Sequence, residues 1–206
     1  MIRALPLILL SLSLAPFGST AHAATPLVTA EYVLQNGSST PSFTPGDPNL
    51  RLAQTFTPLV AGILDGIGVT LTENGVLPPS VTVTITETSS GQPSGTLGSA
   101  IISAPALTNT ATLFTADFSG QGINLNTGTL YAIVLSPSPP GGYSWNGDNP
   151  GSYAGGNYFF SNDAGSNWND STIEADRGFR VTVIPEPSST LLLSLSTLAI
   201  AIRRRS

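Results

Sequence analysis

Between positions 80 and 87 the chain reads Ser-Val-Thr-Val-Thr-Ile-Thr-Glu, with Val81, Val83 and Ile85 alternating with Thr82, Thr84 and Thr86. A period of two in β-branched residues sends successive side chains to opposite faces of a strand, and a helix cannot present them that way. The run 68–72 repeats the pattern through Val69 and Leu71. Shorter runs of the same character cover 28–34, 52–57, 98–103, 112–118, 130–136, 142–145, 157–161 and 178–184. Turn-forming residues separate them: Asn74-Gly75, Pro78-Pro79, Gly91-Gln92-Pro93-Ser94-Gly95, Asn126-Thr127-Gly128, 137–142 and Asn146-Gly147. No capped helical pattern exceeds two turns. About ten short strands spaced in this way predict an all-β fold, an antiparallel β-sandwich that is jelly-roll-like.

The two ends have a different character. Residues 1–23 read as a signal peptide: Arg3 supplies the positive start, 5–14 is a short apolar run, and Ala21-His22-Ala23 offers small side chains to signal peptidase. An uncleaved anchor would need about 20 apolar residues, more than this run holds. The other end has three parts in order: Pro185-Glu186-Pro187, an uncharged apolar run over 188–202, and Arg203-Arg204-Arg205. Clustered Arg stops translocation and stays on the cytoplasmic side. The apolar run has 15 residues, roughly 22 Å as a helix against a hydrocarbon core of about 30 Å. A transmembrane helix this short suits a transient anchor.

That tripartite tail resembles the PEP-CTERM sorting signal of Gram-negative bacteria. The resemblance implies that Pro185, Glu186 and Pro187 are recognised by an integral-membrane exosortase, which removes the tail, and that Arg203, Arg204 and Arg205 are the stop-transfer cluster. It implies export through the inner membrane, transient anchoring, and delivery to the cell surface, the extracellular matrix or the medium, in company with exopolysaccharide and biofilm formation. The chemistry of the motif agrees: Pro185 and Pro187 fix φ and oppose helix initiation, leaving an extended segment open to a groove. An ordinary single-pass tail anchor with a Pro-rich linker would share the composition. The expected organisation is a signal peptide over 1–23, a β-sandwich domain over 24–184 and a sorting signal over 185–206.

The 161 residues between the two ends have eleven acidic and three basic residues, a net −8, whereas the whole chain is −5. Such a charge disfavours nucleic acid as a partner. The only His is His22, in the signal peptide, and the chain has no Cys and no Lys. A Ser-His-Asp triad, a thiolate nucleophile, a disulfide, a Cys-based zinc site and a Schiff base are all excluded from the domain. Carboxylates remain as acid–base groups, so a two-carboxylate glycosidase and an oxygen-ligand Ca²⁺ site stay open.

The middle of the chain also resembles the choice-of-anchor type of exported bacterial β-sandwich domain. The residues that carry the likeness are Gln54-Thr55-Phe56, the 81–85 strand, the 91–95 turn, the run from Gly128 to Leu135, Tyr143-Ser144-Trp145, a Gly/Asn loop with Trp168, and a closing Phe179-Arg180-Val181. Such domains have no catalytic motif to carry over.

The chemically crowded stretch is 143–176. Tyr143, Trp145, Tyr153 and Trp168 stand among Asn and Asp residues, a mixture suited to a sugar ring stacked on an aromatic face with its hydroxyls on polar groups. The same residues equally serve as core and loop-pinning groups. Asp163, Asn167 and Asp170 offer oxygens to Ca²⁺ around Gly165, although their spacing is not that of an EF-hand and an Asx-rich hairpin loop explains them too. Glu174 and Asp176 precede Arg177 and Arg180, an expected local ion pair. The sequence thus predicts a non-enzymatic exported protein with a structural or adhesive role in an exopolysaccharide-rich layer. A carbohydrate-binding module over 143–170 is the alternative, and a carboxylate glycosidase stands behind it. No cofactor is expected apart from that Ca²⁺.

Overall fold

A computed structural model describes residues 24–35, 42–43, 47–76, 78–103, 107–136, 141–170 and 175–186. The expected signal peptide with Ala21 and Ala23, the tail from Pro187 onward with Arg203, Arg204 and Arg205, and Glu174 lie outside the described residues. Those described contain fifteen strands and no helix. They are β1 (Leu27–Tyr32), β2 (Ser42–Phe43), β3 (Arg51–Phe56), β4 (Gly62–Glu73), β5 (Ser80–Ser89), β6 (Gln92–Ser103), β7 (Thr112–Asp117), β8 (Asn124–Leu125), β9 (Tyr131–Ser136), β10 (Tyr143–Trp145), β11 (Gly147–Asp148), β12 (Tyr158–Ser161), β13 (Asn169–Asp170), β14 (Asp176–Arg177) and β15 (Phe179–Ile184).

Two antiparallel sheets dominate. The first runs β1-β15-β4-β10-β2, with β7 and β8 on the other edge of β4. The second runs β13-β12-β3-β9-β5-β6, and β11 with β14 makes a small ribbon of its own. Along the chain the longer strands alternate between sheets: β1 in the first, β3 in the second, β4 in the first, β5 and β6 in the second, then β7, β9 and β15 in turn. Apolar residues of both sheets meet in one core. Leu64, Ile67, Val69, Phe179 and Val181 come from the first sheet; Leu52, Phe56, Val83, Ile85 and Ile133 come from the second. Removing such side chains from water is the main favourable term in folding.

The strand β5 keeps its expected alternation, with Val81, Val83 and Ile85 wholly buried and Thr82 and Thr84 half-buried. Two neighbours depart from expectation. β4 extends well before position 68 because Asp65 is an extra residue opposite β15, where Val183 faces Leu64 and Thr182 faces Gly66. This bulge moves the buried set from the even position Leu64 to the odd positions Ile67, Val69 and Leu71, so simple alternation finds only the second half. The expected turn at 91–95 is displaced. Ser89 pairs with Gln92, and the connection is Ser90-Gly91 alone, with φ of 53° and 82°. Two positive φ values suit a two-residue hairpin connection whose twist matches the strands. Pro93 is accommodated because β6 is an edge strand, where a missing amide costs no ladder bond.

Candidate functional site

After β10, residues 151–170 pack against the second sheet through β12 and help to line two polar clefts. Gly156 lets them approach closely, since a Cβ there would meet the Thr55 carbonyl oxygen. Thr55 Oγ1 donates to the Asn157 carbonyl at 3.1 Å and accepts from the Asn157 amide at 2.7 Å. The first cleft, about 340 Å³, is lined by Tyr153, Asn157, Tyr158, Asp170 and Asp176 among others. The second, about 440 Å³, lies outside the second sheet and is lined by Trp168, Arg51, Thr84, Thr86 and Ser94 among others.

Beneath the first cleft is a buried polar cluster. Asp148, Asp176, Arg177 and Gln54 are all buried. The Tyr32 hydroxyl donates to Asp148 Oδ2 at 3.0 Å, and the Gln35 amide donates to the same oxygen. Asp176 accepts from the Tyr153 amide at 2.8 Å on Oδ2 and from Gln54 Nε2 at 3.3 Å on Oδ1. Gln54 Oε1 accepts from the Arg177 amide at 2.8 Å. The Arg177 guanidinium lies 4.0 Å over the Tyr158 ring, a cation–π contact strengthened by desolvation. Burial pushes the Asp176 carboxyl above its ordinary value, against the pull of the Tyr153 amide, Gln54 and Arg177, while the nearby Asp148 carboxylate adds to the rise. Burial likewise lowers the Arg177 value, offset by Tyr158 and Asp176. Buried charges are tolerated only when paired and hydrogen-bonded, and this cluster ties β1, β3, β11 and β14 together.

The aromatic residues nominated from sequence part company here. Trp145 is wholly buried, donating from Nε1 to the Gly178 carbonyl at 2.9 Å. Tyr143 is wholly buried too, donating to the Ser136 carbonyl at 2.6 Å. Neither offers a ring face to a dissolved ligand, because both rings belong to the core between the sheets. Tyr153 and Trp168 are half-buried and line the first and second cleft respectively. The Tyr153 ring packs edge-on against Phe179 at 5.1 Å. Trp168 rests on Ala53, Val134 and Phe159.

Of the three Ca²⁺ candidates, Asp163 and Asn167 are hydrogen-bonded to one another. Asp163 accepts from Ser161 Oγ at 2.7 Å, from the Asn167 amide at 2.9 Å and from Asn167 Nδ2 at 2.6 Å, which together hold its pKa down to about 2. Asp170 stands on β13 and lines the first cleft. Among the described residues no group of three or more His, Cys, Asp or Glu assembles. The local ion pair expected of Glu174 and Asp176 with Arg177 and Arg180 takes another form: Arg180 pairs on the surface with Glu31, and Asp176 and Arg177 lie in the buried cluster, where Gln54 bonds the Asp176 carboxylate and the Arg177 amide. Sequence reasoning assigned no site role to Gln54 or Tyr32; it placed Asp148 and Tyr158 only within the crowded 143–176 stretch and gave Arg177 only a local ion pair. A Gln inside a strand otherwise read as apolar and Thr-rich was the available signal.

At the end of β15 the described chain passes to Pro185, half-buried, and Glu186, exposed. Residues 183–205 match the family model of the PEP-CTERM protein-sorting motif. The motif marks the chain as exported and targeted to exosortase, with transient membrane anchoring through the tail. No curated protein matches the chain. Among the described residues no helix is long and apolar enough to cross a membrane, and the expected helix at 188–202 lies outside them.

Proposed function

We propose that this chain is a non-enzymatic surface protein, freed of its leader by signal peptidase after Ala23 and of its tail by exosortase, with a structural or adhesive role in the exopolysaccharide-rich layer of a Gram-negative bacterium. The alternation of strands between the two sheets is read as a jelly-roll sandwich, a form that presents loops and clefts on a rigid support. The carrying observation is the sorting motif at 183–205, which begins in the last two residues of β15. The non-enzymatic reading is supported by Asp176, the buried acid of the first cleft: both its oxygens already accept hydrogen bonds from Tyr153 and Gln54. Replacing Pro185-Glu186-Pro187 by three Ala is expected to block tail removal, seen as retention of the full-length form in membranes. Normal processing of that variant would refute the sorting assignment.

A second reading, binding of a matrix polysaccharide, is favoured by the second cleft. There a half-exposed indole stands beside the hydroxyls of Thr84, Thr86 and Ser94 and the guanidinium of Arg51. One aromatic–sugar contact of this kind contributes about 1 kcal/mol, enough for weak binding that repeats along a polymer would amplify. Trp168→Ala is expected to weaken polysaccharide binding about fivefold in calorimetry, and Tyr153→Ala much less. Equal binding by both variants and the parent chain would remove the second cleft from consideration.

A further inference from the structure

Exposed apolar side chains gather at the end of the domain from which the tail leaves. β15 stops at Ile184, opposite Ile63 of β4, and Leu27 at the start of β1 lies opposite Val183. The loop from β3 to β4 closes the same end. The Leu59 amide donates to the Thr29 carbonyl at 2.8 Å, the Val60 amide donates to Thr29 Oγ1 at 2.9 Å, and that hydroxyl donates to the Val60 carbonyl at 2.6 Å. Leu27, Val28, Leu59 and Val60 therefore surround the tail exit, and they are 47%, 48%, 79% and 37% exposed. The loop's hydrogen bonds hold Leu59 and Val60 outward, so their exposure is built in.

The tether is short. Only Pro185, Glu186 and Pro187 separate Ile184 from the uncharged run that begins at Ser188. Three residues reach at most about 11 Å when extended. The polar layer on one side of a bilayer takes up roughly 6 Å of that reach. The apolar run is itself short for the hydrocarbon core, so mismatch draws its outer end inward and leaves little slack.

We propose that, while the tail is inserted, this apolar end of the domain rests in the lipid headgroup layer, with Leu59 and Val60 against lipid. The proposal rests on the membrane anchoring of the tail. Asp65 follows two positions after Ile63, and Asp117 faces Gly66. These carboxylates make the contact one of apolar burial on a zwitterionic surface and oppose anionic headgroups. Its consequence is a fixed height: the Pro-Glu-Pro segment is held at the membrane surface, within reach of a membrane-embedded exosortase.

The absence of Cys makes single labels clean. The full chain is placed in phosphatidylcholine vesicles with an environment-sensitive dye on Leu59→Cys, on Val76→Cys, or within the tail on Ser194→Cys. Val76 is 65% exposed and lies beyond the far end of β4. The expected result is blue-shifted emission and quenching by nitroxide-bearing lipid at positions 59 and 194, several-fold stronger than at 76. Added phosphatidylglycerol is expected to weaken the signal at 59. Quenching at 194 with position 59 no different from 76 would overturn the proposal and leave the anchoring intact. Lack of quenching at 194 would overturn both. Protection of position 59 only when exosortase is present would assign this surface to the enzyme and overturn the lipid contact.

Discussion

Asp163 and Asp176 are the same residue type with opposite electrostatic settings. Asp163 is exposed, and its carboxylate collects the hydroxyl of Ser161 and two N–H donors of Asn167, so its charged form is favoured and its pKa is held at about 2. Asp176 is buried, and desolvation favours its neutral form. The signs of their contributions to stability therefore differ. The part from Asp163 is present above its ordinary value of 3.8 and is lost as pH falls toward 2. For Asp176 protonation is easier in the folded state, so its contribution is fully present below the ordinary 3.8 and is lost as pH rises through the elevated folded value. Carbon-13 NMR of the side-chain carboxyls should show the two titrating on either side of 3.8. Coincident midpoints would contradict both environments. The Asx-rich character of the Asp163 loop was legible in the Asn-Asp-Ala-Gly-Ser-Asn run, because such turns are made by neighbours in sequence. The setting of Asp176 was not, because Gln54 approaches it from 122 positions away.

At the scale of elements, strands whose side chains alternate without interruption were readable, and strands interrupted by a bulge were read only in part. β5 is the clear case of the first kind. β4 is the second, since Asp65 resets the phase between Leu64 and Ile67. A slip of one residue would send its whole apolar set to the wrong face. Deletion of Asp65 is therefore expected to abolish the cooperative melting transition. Asp65→Ala keeps the count and loses only a hydrogen bond from Thr182 Oγ1 at 3.3 Å, at a cost of about 1 kcal/mol. Similar melting curves for the two variants would mean that the bulge does not set the register. The two-residue strands β2, β8, β11, β13 and β14 carry too few positions for any periodicity to appear. The hairpin turn was misplaced for a related reason. Pro93 and Gly95 are turn formers by local preference, and their place in an edge strand follows from the pairing partner, which local preference cannot see.

At the scale of the molecule, the first and last long strands lie side by side. β1 pairs with β15, and the Glu31–Arg180 contact closes a separation of 149 residues. Loops of this length must close before their contacts bring any return, so refolding of the domain is expected to take milliseconds to seconds, roughly the range of all-β domains dominated by non-local pairing. Trp145, buried in the core, is the natural probe in a Trp168→Phe background, followed by stopped-flow fluorescence. Completion within microseconds would show that local contacts dominate after all. The antiparallel pairing of β1 with β15 also brings the start of β1 and the end of β15 to one end of the domain.

The amino-acid sequence alone determined the strand-forming character, the lack of His, Cys and Lys in the domain, and the sorting tail. Each of these depends on residue identity or on neighbours a few positions apart. The tertiary structure decided which aromatics face solvent, sending Trp145 and Tyr143 into the core and leaving Tyr153 and Trp168 at clefts. It also decided that Asp148, Asp176 and Arg177 share one buried cluster, and that Leu59 and Val60 stand beside the tail exit. Burial and proximity between distant residues arise only when the sheets pair, and no local pattern encodes which strands will be partners.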